Sequence, residues 1–86
     1  MATTLVTLTS AWQSLGAGPV SVQMHSGIGA ELHIASSAPL ANEEAVHQIG
    51  LGSPHPAGID YGGSENVYAR TLSETVTTKV VYTPIL

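Results

Sequence analysis

The stretch NVYARTLSETVTTKVVYT, residues 66–83, decides the fold class of this chain. Residues 66–71 alternate between two faces with the period of two that is typical of a β-strand, and residues 76–83 are rich in Val and Thr, which favour strands. We expect a hairpin with a four-residue loop, because that register turns a mostly apolar face inward. The inward pairs are then Thr71 with Val76, Ala69 with Thr78 and Val67 with Val80.

The outward side of this predicted hairpin carries both basic residues of the chain. Tyr68 lies opposite Lys79 and Arg70 lies opposite Thr77, so Lys79 and Arg70 share one outward strip. Pro84 cannot donate to a sheet ladder and is expected to end the strand.

Three further strands are predicted in the first half of the chain, over residues 4–9, 20–25 and 30–35. In the first strand Val6 and Leu8 share one face and Leu5 lies on the other, which predicts that both faces are covered. In the next two strands, apolar residues occupy every second position, as in a half-buried strand. These positions are Val20, Val22 and Met24, then Ala30, Leu32 and Ile34.

The second and third of these strands are expected to form a hairpin. A two-residue loop is excluded by parity, because it would place Met24 opposite Glu31. A three-residue loop, Gly27-Ile28-Gly29, pairs Met24 with Leu32, and a glycine in the left-handed conformation fits that loop. The same register pairs Val22 with Ile34 on the apolar face. On the outer face it pairs His25 with Glu31 and Gln23 with His33. A five-residue loop with Met24 opposite Ala30 also satisfies the pattern.

Two segments lack a strand pattern. Residues 12–19 contain two glycines and Pro19 and are predicted to be a turn, with Trp12 and Leu15 filling one end of the core. Residues 36–65 hold three of the five prolines and five glycines, and form a long irregular connection. Within it, residues 45–51 could be a short strand, or Asn42 could cap a helical turn.

These elements predict an all-β single domain over residues 1–86, a small antiparallel β-sandwich or barrel with one long irregular Pro/Gly-rich connection. The chain has a mass of 8.8 kDa, and the area scaling of folded proteins gives it a surface of roughly 4,800 Å². A domain of this size is marginally stable alone and often needs a disulfide, a metal or a partner subunit. It has no Cys, so a disulfide is excluded.

Charge is scarce in this chain. Only 9% of the residues are charged, against about 25% in a typical domain, and Ser and Thr, nine each, supply the polar surface. Two cationic residues cannot neutralise a run of phosphates or dock on an anionic membrane, so neither nucleic acid nor membrane is an expected partner. No apolar run reaches 18 residues, so we expect no transmembrane helix. The first residues lack the basic region of a signal peptide.

No assembled catalytic set is visible, and we expect no enzyme and no cofactor or metal. The four histidines lack a helical i, i+4 pair and are expected to be partly exposed, not metal ligands. Glu43 and Glu44 are adjacent and point in different directions. Asp60 and Glu65 flank a glycine-containing loop, but two acids are too few for calcium. The histidines are His25, His33, His47 and His55.

Partner contacts are predicted at apolar and aromatic residues. A sparsely charged surface is poorly protected against association, so we expect a homo-oligomer. The candidate interface residues are Trp12, Leu15, Ile85 and Leu86, the last two forming an apolar tail. An aromatic face can also bind a sugar, and the candidate ligand contacts are Tyr61 and Tyr68.

The order of motifs resembles that of small β-rich virion proteins encoded by tailed bacteriophages. The resembling segments are WQSLGAGP at 12–19, Ala38-Pro39 after a strand, and GSENVYAR at 63–70 before a Thr/Val-rich final strand. Tyr68 stands where the pattern often has a Trp before Ala-Arg. The resemblance covers residues 12–83 and carries no catalytic residues.

What the resemblance implies is a non-enzymatic structural protein of the phage particle, a homo-oligomeric capsid decoration or cement protein, a head-spike protein or a tail-associated protein. Its partners would be copies of itself and the major capsid or tail proteins. It would reside in the virion after synthesis in the host cytoplasm without a signal peptide. The alternative is a small glycan-binding module for attachment to the host surface.

Overall fold

The computed structural model describes residues 3–40, 47–50, 52–53, 55–72 and 75–85. In this part of the chain the secondary structure consists of eight β-strands and no helix. The strands are β1 (Thr4–Leu8), β2 (Gln13–Ala17), β3 (Val20–Ser26), β4 (Gly29–Ala35), β5 (His47–Gly50), β6 (Gly58–Tyr61), β7 (Asn66–Thr71) and β8 (Thr78–Pro84).

The strands form two four-stranded antiparallel sheets that pack face to face, which confirms the predicted small β-sandwich. The first sheet has the order β1-β8-β3-β6 and the second has the order β2-β7-β4-β5. The chain changes sheet at almost every connection, since only β4 and β5 are both consecutive and paired. The accessible surface is 4804 Å², the value expected for a compact chain of this mass.

The core consists of the inward positions of both sheets. Because side chains alternate along a strand, each sheet buries every second residue. Thr78 is fully buried among apolar side chains, and its Oγ1 accepts a hydrogen bond of 3.0 Å from Thr71 Oγ1. The buried apolar cluster is formed by Leu8, Leu15, Val20, Val22, Ala30, Leu32, Ile49, Val67, Ala69 and Val80.

The predicted hairpin of residues 66–83 is wrong, although both strands exist and their inward residues are buried apart from Val76, which precedes β8 and is 39% exposed. Strand β7 has the predicted bounds, and its inward residues are buried. However, β7 pairs with β2 and β4 in one sheet, whereas β8 pairs with β1 and β3 in the other. Lys79 and Arg70 therefore lie on opposite sheets and do not share a strip.

The predicted hairpin of residues 20–35 is also wrong, for the same reason. Strand β3 pairs with β6 and β8, and β4 pairs with β5 and β7, so Met24 faces Val80 instead of Leu32. Glu31 lies opposite Arg70, and His33 lies opposite Tyr68. An apolar face shows that a strand contacts the core, but it does not show whether a given second strand lies beside it in the same sheet or opposite it in the other sheet.

Two strands occur where none was expected. Residues 13–17 form β2, not a turn; this edge strand tolerates Gly16, at a φ of +91°, next to an irregularity in its pairing with β7. Strand β6 lies within the segment predicted to be irregular. The short strand predicted over residues 45–51 is confirmed as β5. The alternative helical turn at Asn42 lies outside the described residues.

Candidate functional site

An aromatic and charged cluster lies on the outer face of the β2-β7-β4-β5 sheet. It consists of Trp12, Glu31, His33, Tyr68 and Arg70, and we refer to it as the Trp12 cluster. The outward positions of β4 and β7 bring four of these residues side by side, since Glu31 pairs with Arg70 and His33 pairs with Tyr68. Trp12 directly precedes β2, which is the neighbour of β7.

Arg70 is the centre of the Trp12 cluster. Its Nε donates a hydrogen bond of 3.0 Å to Glu31 Oε1, and its guanidinium carbon lies 4.3 Å from the centroid of the Trp12 ring. A guanidinium over an indole face at this distance is a favourable cation–π contact. The Trp12 and His33 rings are tilted by 55° with centroids 5.8 Å apart. The cluster thus holds the only Trp between a cation and an imidazole.

The Trp12 cluster includes Tyr68, one of the predicted ligand contacts. Only 7% of Tyr68 is exposed, although its position in β7 points outward, so its ring offers little surface to a ligand. The indole Nε1 of Trp12 and Nδ1 of His33 are buried without a hydrogen-bond partner in the described structure.

Tyr61, the other predicted ligand contact, lines a groove on the side of the sandwich where β5 and β6 are the edge strands. We call this the Tyr61 groove; it encloses about 310 Å³. A Cβ on Gly18 or Gly63 would collide with the Tyr61 ring, and the Tyr61 hydroxyl accepts a hydrogen bond of 3.2 Å from the Glu65 backbone N–H. The lining residues are Ile34, His47, His55, Ile59, Asp60 and Tyr61.

The remaining titratable residues are dispersed. His25 is in β3 and His33 is in β4, so they lie on different sheets. His47 and His55 both line the Tyr61 groove, but among the described residues no group of three or more potential ligands could hold a metal ion. Glu43 and Glu44 lie outside the described residues.

The predicted interface residues are not gathered on one surface. Leu15 fills the core with 2% of its surface exposed, as its core role predicted, and it leaves almost nothing for a partner. Trp12 belongs to the cluster named after it. Ile85 is 37% exposed, and its backbone N–H donates to the Pro19 carbonyl at 2.9 Å. Leu86 lies outside the described residues.

The outer face of the β1-β8-β3-β6 sheet carries two described residues of opposite charge, Lys79 in β8 and Asp60 in the edge strand β6. Beside β1, Thr3 and Thr83 share a hydrogen bond of 2.7 Å between their Oγ1 atoms. Leu5 and Val81 are direct cross-strand partners on this face, and half of Leu5 is exposed. Both faces of the first strand were expected to be buried, but no described part of this chain packs over its outer face at Leu5. The sequence signal for this surface was Leu5 itself, an apolar residue on the outward face.

Comparison with protein-family models, with curated proteins and with solved structures finds no match for this chain. Within the ranges that the structure describes, no helix has the length and apolar character needed to cross a membrane.

Proposed function

We propose that this protein is a non-enzymatic structural protein of a bacteriophage particle, a homo-oligomeric capsid decoration, cement or head-spike protein. The observation that carries the proposal is Leu5, an apolar side chain that is half exposed on the outer face of the β1-β8-β3-β6 sheet in the single chain. A surface with few charges and exposed apolar side chains is suited to burial against other chains.

Several other apolar side chains support association. They lie in β1, in the β3–β4 connection and in segments that follow β4, β7 and β8 or precede β8, as expected for a chain that packs among neighbours in a shell. The exposed large apolar residues are Leu5, Ile28, Leu40, Leu72, Val76 and Ile85, each at least 37% exposed. Burial of such residues would add stability that a domain of 86 residues lacks alone.

The resemblance of residues 12–83 to small phage virion proteins supplies the phage context. The segments that carry it fall on structural parts of the sandwich: residues 12–19 hold β2, and residues 63–70 lead into β7. Neither segment contains a converging nucleophile and base, so the resemblance is to a building element and not to an enzyme.

Two measurements test this proposal. Light scattering coupled to size exclusion should give a mass that is a multiple of 8.8 kDa at micromolar concentration. An antibody against the chain should label intact tailed-phage particles, purified from a lysate in which the chain is produced, in a regular number of copies. A protein that stays monomeric and is absent from such particles contradicts the proposal.

Glycan binding is the second candidate, and the Tyr61 groove favours it. The groove combines an aromatic ring with the Asp60 carboxylate and two imidazoles, and sugars are bound by such pairings of aromatic faces and polar groups. Binding on a glycan array should be weakened by His55→Ala, whose side chain is exposed at the groove. His25→Ala, an exposed histidine outside the groove, is the matched control. No binding by the wild-type chain would dismiss this function.

A further inference from the structure

The four edge strands of the sandwich differ in how they are protected against pairing with another chain. An edge strand exposes unpaired backbone groups, and proteins block it with bulges, charges, prolines, short length or a covering loop. Strand β2 has an irregular register and Gly16 at positive φ. Strand β5 has four residues, and the Gly50 N–H donates to the His55 carbonyl beyond its edge. Strand β6 has four residues and carries Asp60.

Strand β1 has none of these protections. Its sequence TLVTL contains no charged residue, Pro or Gly, and it pairs with β8 in uninterrupted register from Thr4↔Tyr82 to Leu8↔Thr78. No described strand pairs with its second edge. Among the described edge strands, β1 alone combines uninterrupted pairing with a sequence free of charged residues, Pro and Gly.

We propose that β1 pairs antiparallel with β1 of a second copy of this chain, about a two-fold axis at Leu5. The two β1-β8-β3-β6 sheets then become one continuous eight-stranded sheet. This inference rests on the proposed self-association and names the surface through which it occurs. It accounts for the exposed Leu5 on a strand whose two faces are both apolar.

Parity limits the register of this pairing. Inward residues of one copy must face inward residues of the other, so the two-fold axis must pass through a residue of β1 and not between two residues. An axis at Leu5 makes Thr4 face Val6 of the second copy and places the two Leu5 side chains opposite each other. Because Leu5 is the direct partner of Val81, the outer face then carries one apolar row: Val81, Leu5, Leu5 and Val81.

Charge does not oppose this contact. The described cation nearest to β1 is Lys79 in β8, which faces Thr7. Two Lys79 residues in the pair are separated by three strand spacings, about 14 Å laterally, which exceeds the screening length of about 8 Å at physiological salt. Asp60 lies in β6, at the opposite edge of the same sheet. Glu31 lies in β4 of the other sheet, so neither of these described acids lies at the shared edge.

Two substitutions at Leu5 test the pairing. Leu5→Lys adds a charge to the outer face of the edge and should halve the mass in solution, to a single chain where the wild type is a dimer. Leu40→Lys is the matched control, because Leu40 is 70% exposed and lies outside the strands; it should keep the wild-type mass. Far-ultraviolet circular dichroism should show the same β-structure in both variants.

Cross-linking tests the register. The chain has no cysteine of its own, so Leu5→Cys introduces a single thiol. Directly opposed residues in an antiparallel pair have Cα atoms about 4.5–5.5 Å apart, within the range that a disulfide bridges. Mild oxidation should therefore link Leu5→Cys chains in pairs. Thr7→Cys lies two positions from the axis and should not link, and neither should Leu40→Cys.

The outcomes separate this interface from the proposed function. A wild-type assembly that survives Leu5→Lys, with no more cross-linking in Leu5→Cys than in Leu40→Cys, overturns the β1 pairing and leaves self-association standing. An assembly of three chains also overturns the two-fold pairing. A wild-type chain that is monomeric at all concentrations overturns both the β1 pairing and the proposed self-association. Loss of the assembly in Leu5→Lys, together with selective cross-linking of Leu5→Cys, supports both.

Discussion

One hydrogen bond in the core joins the two sheets, and its removal tests the sandwich directly. Thr71 in β7 donates from Oγ1 to Thr78 Oγ1 in β8 at 3.0 Å, and Thr78 in turn donates to the Val76 carbonyl at 3.4 Å. Thr78 is fully buried and Thr71 is 9% exposed. We therefore propose a double-mutant cycle of Thr71→Val and Thr78→Val, which replaces each hydroxyl by a methyl group of similar size.

The expected coupling follows from the geometry. A neutral hydrogen bond contributes about 0.5–1.5 kcal/mol net, and the cycle cancels the change in hydrophobicity that each valine brings. We expect a coupling free energy of about 1 kcal/mol between the two positions. In the β7–β8 hairpin that local pairing favours, Thr71 would face Val76 and Thr78 would face Ala69, so the two hydroxyls would not be bonded and the coupling would be near zero.

Urea unfolding at one fixed protein concentration measures this coupling, with tryptophan fluorescence or circular dichroism as the signal. Fixed concentration matters, because an oligomer gains stability by mass action. Unequal denaturant slopes among the four proteins would show that a substitution changed the unfolding reaction itself. A coupling below about 0.3 kcal/mol, which is the scatter of additive sites, refutes the contact between the threonines.

Two further predictions concern single positions. Leu15→Ala should lower the free energy of unfolding by about 2–4 kcal/mol, because Leu15 is 2% exposed in the core. Leu40→Ala is the control; it changes a 70% exposed site and should lower the free energy of unfolding by less than about 0.5 kcal/mol. Equal losses of the two variants in urea unfolding would argue against the inward position of Leu15 in β2. Gly58→Ala should cost about 2 kcal/mol or more, because Gly58 has a φ of +148° and a Cβ there would strike the β3 backbone. Gly62→Ala has open space and should leave the thermal midpoint unchanged.

Most of the strands and their buried faces, though not β2 and β6, were predictable from the sequence because both are local properties. In β7, Val67, Ala69 and Thr71 alternate with outward residues, and the structure buries all three. In β3, Val20 and Val22 behave in the same way. A period of two needs no knowledge of any other part of the chain.

Strand pairing was not predictable, because a sandwich offers two partners to the same inward face. Thr71 and Thr78 both point inward, and this is equally compatible with neighbours in one sheet or with contact across the core. The chain uses the second arrangement, and it changes sheet between β7 and β8 as it does between β3 and β4. A short loop favours a hairpin only where the two strands remain in one sheet.

The Trp12 cluster could not be predicted either, because its contacts also depend on strand pairing. Outward parity placed Glu31 and Arg70 on solvent-facing positions, but their ion pair arises only because β4 and β7 are neighbours. Trp12 joins them because residues 13–17 form an edge strand, where two glycines and a proline suggested a turn. The signal present in the sequence was the single Arg, whose partner had to be one of few acids.

The placement of charge connects the fold to the proposed assembly. Arg70 is paired with Glu31 on one sheet, and Lys79 stands on the other, so each outer face carries a single basic residue. Asp60 lies in β6, at the opposite edge of the same sheet from β1. Because charge is the usual protection of an edge strand, a chain that places an acid in the edge strand β6 and none in β1 leaves the β1 edge open to association. The neutral sequence of β1 is thus what permits the proposed pairing with a second copy.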